Sequence, residues 1–263
     1  MRGEGWRPWQ RGQPISVPGL NPVIGHRGAA ARAPENTLAG LRVAAELGAH
    51  WVEFDVMLSK DGVPVLMHDE TLDRTTNGRG RVARHTAAEL VELDAGAWFG
   101  PQFAGERVPT FEQTVTELLR LQHGANVEIK PTAGRGDETG EVVAGYLREA
   151  WPSDGPPLLL SSFDRGALAA AQRAAPAIPR GLLAEWLPGD WDDAMRALAC
   201  STLHLNHRRI TLGRLRSLAA KDVAVLLYTV NDGSRARDLL ARGAMAVITD
   251  VPDVVIEFLE SPQ

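Results

Sequence analysis

Short apolar runs alternate with stretches of helical periodicity along the whole chain. Runs at 23–26, 51–55, 126–130, 158–162, 181–184, 202–206, 223–229 and 246–249 read as buried strands. Apolar residues at helical spacing predict helices at 37–47, 110–123, 139–150, 165–174, 190–199, 212–220, 234–242 and 253–260. Gly48 and Gly124 stand as C-terminal stops of the first two. Eight strands alternating with helices predict an α/β fold of the closed (β/α)8 TIM-barrel type.

One apolar run breaks the alternation. Residues 63–68 follow the second strand after only Val56, Met57, Leu58 and the turn Ser59-Lys60-Asp61-Gly62. A parallel crossover needs about a dozen residues or more, so this run must fold back as a hairpin, with Asp61-Gly62 as the turn. Residues 56–109 then form a hairpin-containing insertion between the second strand and the second helix, over one mouth of the barrel. No Pro/Gly/Ser-rich linker divides the 263 residues. The expected organisation is an amino-terminal arm at 1–20, with Trp6 and Trp9 packing back on the body, and one barrel domain at 21–263.

Composition narrows the chemistry. With 33 acidic against 28 basic residues, a net charge of −5 and no basic block, a nucleic-acid partner is not expected. The one cysteine, Cys200, excludes an intramolecular disulfide and a thiolate metal cluster, which fits a reducing compartment. Arg2, Arg7 and Arg11 are interrupted by Gly5, Pro8, Gly12 and Pro14, so no signal-peptide core forms there. Nor does any run approach the roughly 18 apolar residues of a membrane span. The expectation is a cytoplasmic protein without membrane insertion; its oligomeric state is left open.

Polar residues collect at the ends of the apolar runs. Residues two apart in a strand share a face, so Glu53 with Asp55, and Glu128 with Lys130, project into the barrel near the carboxyl ends of their strands. Active sites of this fold lie at that end. Three converging carboxylates repel unless a cation joins them, and oxygen ligands suit Mg²⁺ or Ca²⁺. The same acids can instead pair with Arg27 and Lys130 in a buried ion network. His26 and His68 end their runs at the same mouth and can trade a proton near neutral pH; hydrolysis of a diester needs such a base and acid. Arg27 offers a fork for phosphate oxygens and Lys130 a point charge. His50, His85, His123 and His207 read as structural. Thr202, His204 and Asn206 face the interior, as substrate contacts or as a hydrogen-bonded layer. The ends at Ser161-Ser162-Phe163, Tyr228-Thr229-Val230-Asn231 and Thr249-Asp250 are expected to line the pocket.

These residues resemble the glycerophosphodiester phosphodiesterase family through nearly the whole chain. The motifs His26-Arg27-Gly28, Pro34-Glu35-Asn36-Thr37, Glu53-x-Asp55, Asp61-Gly62 with His68-Asp69, Leu72-Asp73-Arg74-Thr75, Glu128-x-Lys130, Ser161-Ser162-Phe163 and Thr249-Asp250 occur in the family's order. The short cytoplasmic bacterial type is the form it is most similar to. The resemblance implies hydrolysis of glycerophosphodiesters to sn-glycerol 3-phosphate and an alcohol, with His26 and His68 as base and acid. It also implies a divalent ion on Glu53, Asp55 and Glu128, and phosphate held by Arg27 and Lys130. Tyr228 stands where many relatives carry tryptophan, keeping an aromatic wall toward the glycerol moiety. Other readings are a lysophospholipase D or phosphoinositide-type lipase on the same barrel, with Trp98, Phe99 and Phe103 of the insertion as the apolar surface, or a non-catalytic phosphodiester sensor.

Overall fold

A computed structural model of the chain describes residues 8, 10, 17 and 19–261. Trp6 and Trp9 lie outside the described residues. Among those described, eight strands run parallel: β1 (Val23–Gly25), β2 (Trp51–Leu58), β4 (Gly124–Ile129), β5 (Leu158–Ser162), β6 (Arg180–Ala184), β7 (Thr202–Asn206), β8 (Ala224–Tyr228) and β9 (Ala244–Thr249). They pair in the order β1-β9-β8-β7-β6-β5-β4-β2, and the β1–β2 pairing closes the barrel. The connecting helices are α1 (Leu38–Glu46), α3 (Phe111–Leu121), α4 (Gly136–Ala150), α5 (Arg165–Ala174), α6 (Trp191–Ala197), α7 (Leu212–Ala219) and α8 (Gly233–Ala241), with α9 (Pro252–Glu260) after the last strand. This is the expected (β/α)8 architecture.

Alternation along the strands builds two apolar layers. Val52, Phe54, Val56, Val127 and Ile129 face outward and pack on Leu41 and Ala44 of α1 and on Phe111, Val115 and Leu118 of α3. Facing inward, Ile24, Trp51, Leu159, Leu226, Ala246 and Ile248 fill the barrel floor together with Val17. The Trp51 indole donates to the Gly19 carbonyl at 2.6 Å, tying the chain before β1 to that floor. Polar inward positions are thereby left for the opposite end.

The insertion begins as expected, with a hairpin turning at Asp61-Gly62. The strand β3 (Pro64–Leu66) runs antiparallel to the far end of β2, pairing Val56 with Leu66 and Leu58 with Pro64. Here β2 extends to Leu58, beyond the expected end at residue 55, because β3 supplies hydrogen-bond partners past the barrel rim. The rest contains α2 (Ala87–Leu90), capped by a Thr86–Glu89 box, and short 3₁₀ turns at Val82–Arg84 and Pro101–Phe103. Met57, Val65, Met67, Leu72, Val82, Leu90 and Val108 give the insertion its own small core. Phe99 stacks edge-on against Trp98 and Phe103, so these rings largely satisfy one another.

Gly124 departs from its expected role. Helix α3 ends with Gln122 in the left-handed conformation (φ 54°), while Gly124 opens β4, where a Cβ would lie 2.4 Å from the Trp51 ring. The position is small to admit the indole, not to stop the helix. Among the described residues, no helix is long and apolar enough to cross a membrane.

Candidate active site

Strand register assembles the site. In β2 and β4, Glu53 pairs with Asn126 and Asp55 with Glu128, so the inward acids of neighbouring strands sit side by side. Ligand oxygens of Glu53, Asp55 and Glu128 all lie within 4.8 Å of one another, and all three side chains are buried. Burial and the Asp55 and Glu128 charges hold the Glu53 carboxyl well above its usual range. Burial and Asp55 push Glu128 up to about 8. Asp55 goes the other way: burial opposes its charge, but Lys130 and Arg27 outweigh it and hold the group low. Two adjacent buried acids cannot ionise independently, and the one nearest the cations keeps the charge.

This donor set fits a divalent cation. Glu53 Oε2 accepts the Arg27 backbone N–H at 3.0 Å, whereas buried Glu53 Oε1 has no hydrogen-bond partner among the described residues. A desolvated lone pair without a donor is costly, and a cation within reach of the three carboxylates removes that cost. Oxygen-only ligation suits a hard ion.

A tight turn after β1 sets the cationic side of the site. Arg27 and Gly28 both take positive φ (51° and 87°), and a Cβ on Gly28 would sit 2.6 Å from the Gly40 backbone. The turn packs against α1 too closely for any other residue at 28. It turns the Arg27 side chain toward Asp55 (Nε to Oδ2, 3.4 Å) and Glu35 (Nη1 to Oε1, 2.6 Å). Lys130 Nζ stands 3.3 Å from Asp55 Oδ1 and 3.9 Å from Glu128 Oε1. Asn36 brackets Asp55, its amide donating to Oδ2 at 2.8 Å and its carbonyl accepting the Asp55 N–H at 3.0 Å.

The two histidines are held alike. His26 Nδ1 lies 2.6 Å from Asp250 Oδ1, and His68 Nδ1 lies 2.6 Å from Asp69 Oδ1. A carboxylate at Nδ1 keeps the proton there and leaves Nε2 to face the cleft. His26 Nε2 points toward Glu53 at 3.8 Å. Asn231 donates to Asp250 Oδ2 at 2.6 Å and anchors that pair further. Burial lowers the His68 pKa, against the pull of Asp55 and Asp69 in the other direction.

His26, Arg27, Glu53, His68, Glu128, Lys130 and Tyr228 all line one cleft of about 450 Å³. Asp55 lies beneath it, reached through the contacts above. Phe163 and Tyr228 meet edge-on at 6.1 Å and form an aromatic wall. The Tyr228 hydroxyl is occupied, donating to the Ala184 carbonyl at 3.0 Å, and burial holds its pKa above the usual phenol value. Asn206 reaches the cleft, but His204 does not: it is fully buried, bonded to Thr202 Oγ1 at 2.8 Å, and held down to about 3 by burial. It therefore belongs to an interior layer with Thr202, whereas Asn126, the register partner of the β2 acid Glu53, lines the cleft. His207, read as structural, in fact lines the cleft.

The sequence alone gives no individual role to Glu35, Asn36, Asp69 or Arg74, and places Asn231 and Asp250 only among the strand ends expected to line the pocket, where they are found. Five of these six fall inside the ordered motifs and Asn231 ends the Tyr228-Thr229-Val230-Asn231 segment, which is the local signal they carry; their pairings are three-dimensional.

The chain matches the model of the glycerophosphoryl diester phosphodiesterase family over residues 26–254. It is 35% identical to a glycerophosphodiester phosphodiesterase of Caldanaerobacter subterraneus, covering 90% of this chain and 97% of that one. Among solved structures, an Oleispira antarctica phosphodiesterase in complex with the product sn-glycerol-3-phosphate superposes with a TM-score of 0.89 at 39% identity, covering 92% and 98% of the two chains. A glycerophosphodiester phosphodiesterase of Agrobacterium tumefaciens gives a TM-score of 0.73 at 27% identity, with 90% and 100% covered. With motif order, barrel and family match in agreement, the chain belongs to the glycerophosphoryl diester phosphodiesterase family.

Proposed function

We propose that this enzyme hydrolyses glycerophosphodiesters to sn-glycerol 3-phosphate and an alcohol, using a divalent cation and the pair His26 and His68. The observation that carries the reading is two imidazoles on one cleft, each fixed at Nδ1 by a carboxylate 2.6 Å away, beside three buried acids. Glu53, Asp55 and Glu128 hold the cation, Mg²⁺ or Ca²⁺. Bound there, it supplies Lewis-acid stabilisation of charge on the phosphoryl oxygens.

The chain's own groups do the rest. Arg27 and Lys130 bind the phosphoryl oxygens and neutralise charge that builds on them. His26 Nε2 accepts the proton of the attacking hydroxyl, and Asp250 stabilises the resulting imidazolium. His68, supported by Asp69, takes up its proton once the anionic diester offsets the Arg27 and Lys130 charges that disfavour it, and gives the Nε2 proton to the departing alkoxide. Phe163 and Tyr228 exclude water on the substrate side. The attacking oxygen is the glycerol 2-hydroxyl, giving a cyclic phosphate that water then opens, or a water molecule directly; accumulation of a cyclic product separates these routes.

A cytoplasmic setting belongs to this reading, supported by one cysteine, Cys200, whose thiol is buried and pushed up to about 12 by burial. The test is coupled detection of glycerol 3-phosphate from a panel of diesters, with chelator and with added Mg²⁺ or Ca²⁺. Cation-dependent release is expected. Tight binding of diester with no turnover would instead make the protein a sensor.

A further inference from the structure

The most connected side chain near the site does not line the cleft. Arg74, in the insertion, presents its Nε/Nη2 edge to Asp69 (2.7 and 3.1 Å) and its Nη1/Nη2 edge to Glu35 (2.7 and 2.8 Å). Glu35 Oε1 also accepts from Arg27, and Asp69 Oδ1 also meets His68, each at 2.6 Å. The five side chains Arg27, Glu35, Arg74, Asp69 and His68 thus form one continuous chain of alternating charge and hydrogen bonds. We infer that Arg74 is a positioning residue that sets the proton-donating side of the site against its phosphate-binding side. The inference rests on the roles proposed above for Arg27 and His68.

The reason lies in which part of the fold carries each end. Arg27 and Glu35 belong to the barrel, between β1 and α1, whereas His68 and Asp69 follow β3 and belong to the insertion. The β2–β3 pairing holds the backbone as far as Met67, whose N–H donates to the Asp55 carbonyl at 3.2 Å, but it does not orient the Asp69 carboxylate that holds His68. Arg74 spans that boundary, and its backbone is held by the insertion core: Thr76 returns both its N–H and its hydroxyl to the Leu72 carbonyl, and Leu72 and Thr75 are buried. Only a planar fork can face two carboxylates along two edges. With 45% of its side chain exposed, Arg74 adds little to stability as an ion pair. Its contribution is geometric, and small misplacements of reacting groups are expensive.

The test compares the cation-loaded enzyme on glycerophosphocholine and on the p-nitrophenyl diester of glycerol 3-phosphate, whose leaving group departs unprotonated. For Arg74→Ala we expect kcat on glycerophosphocholine to fall by roughly 10- to 100-fold, and on the nitrophenyl diester by less than about threefold, while KM rises for both as Arg27 loosens. Placed on His68→Ala, the same substitution should add no further kcat loss on glycerophosphocholine. Arg74→Lys, which keeps the charge and loses the fork, should recover only part of the activity; it carries the comparison if the alanine variant does not fold. Unchanged kinetics, equal kcat loss on both substrates, or full additivity with His68→Ala would overturn the inference. Parent-level kcat in His68→Ala alone would instead overturn the acid role of His68.

Discussion

Asp55 and Glu128 are register partners across β2 and β4, yet their carboxyl groups are driven to opposite sides of the ordinary range. Asp55 is held low by Lys130 and Arg27, while Glu128, buried beside that charge, is pushed up to about 8. A cation arriving at the trio must therefore displace protons.

Cation affinity should depend on pH in a defined direction. Because Glu128 is pushed up to about 8 and Glu53 is raised as well, apparent affinity for Mg²⁺ or Ca²⁺ rises with pH through the neutral range, by roughly tenfold per unit for each proton displaced. Calorimetry in buffers of different ionisation enthalpy measures the proton release directly. Glu128→Gln should weaken binding and reduce the slope, leaving the part that comes from Glu53. A pH-independent affinity in the parent protein would contradict the assignment.

Stability of the cation-free protein follows from the same shift. A carboxyl whose folded pKa exceeds its unfolded value binds more protons when folded, so its contribution is fully present below about 4.5 and is lost as pH rises through about 8. Glu53 shifts in the same direction. Melting temperature should fall from pH 6 to pH 9 without cation, and the increment given by added cation should grow over that window. Glu128→Gln should make the cation-free profile shallower, with the Glu53 contribution remaining.

The pairing of His26 with Asp250 separates a proton-transfer role from a packing role. His26→Ala should lower kcat by about 10²- to 10⁴-fold while leaving the melting temperature close to the parent. Asp250→Asn keeps the shape but removes the charge that supports the imidazolium, and should cost less than His26→Ala yet at least about tenfold. Steady-state kinetics on glycerophosphocholine checks both. If His26→Ala and His68→Ala fold and turn over at the parent rate, the proposed acid and base are wrong.

The interior layer beneath the cleft should register as stability rather than activity. A Cβ at Gly181 would fall 2.4 Å from His204 Nε2 and 2.5 Å from Thr202 Oγ1. Gly181→Ala is therefore expected to destabilise the fold by about 1–3 kcal/mol through overpacking, with KM for the diester within about twofold of the parent where the protein is folded. Denaturant unfolding and kinetics on the same preparation decide it.

Much of the fold was legible in the sequence because the signals were local. Strand runs, helix periods and the Asp61-Gly62 turn depend on neighbours within a few residues, and they placed the barrel and the hairpin. The alternation Glu53-x-Asp55 and Glu128-x-Lys130 told which side chains enter the barrel, since period-two geometry leaves no other choice. Boundaries set by partners elsewhere were not legible: the extension of β2 to Leu58 depends on β3, and the role of Gly124 depends on the Trp51 ring.

By itself, then, the sequence determined the barrel type, the inward acids and the candidate histidines, through periodicity, turn chemistry and motif order. Only the tertiary structure decided that Asp250 holds His26, that Asp69 holds His68, that His204 is buried below the cleft, and that Arg74 bridges insertion and barrel. His26 and Asp250 are 224 positions apart in the chain. Contacts of that kind arise from closure of β1 onto β9 and from how the insertion settles on the rim, and neither leaves a local pattern.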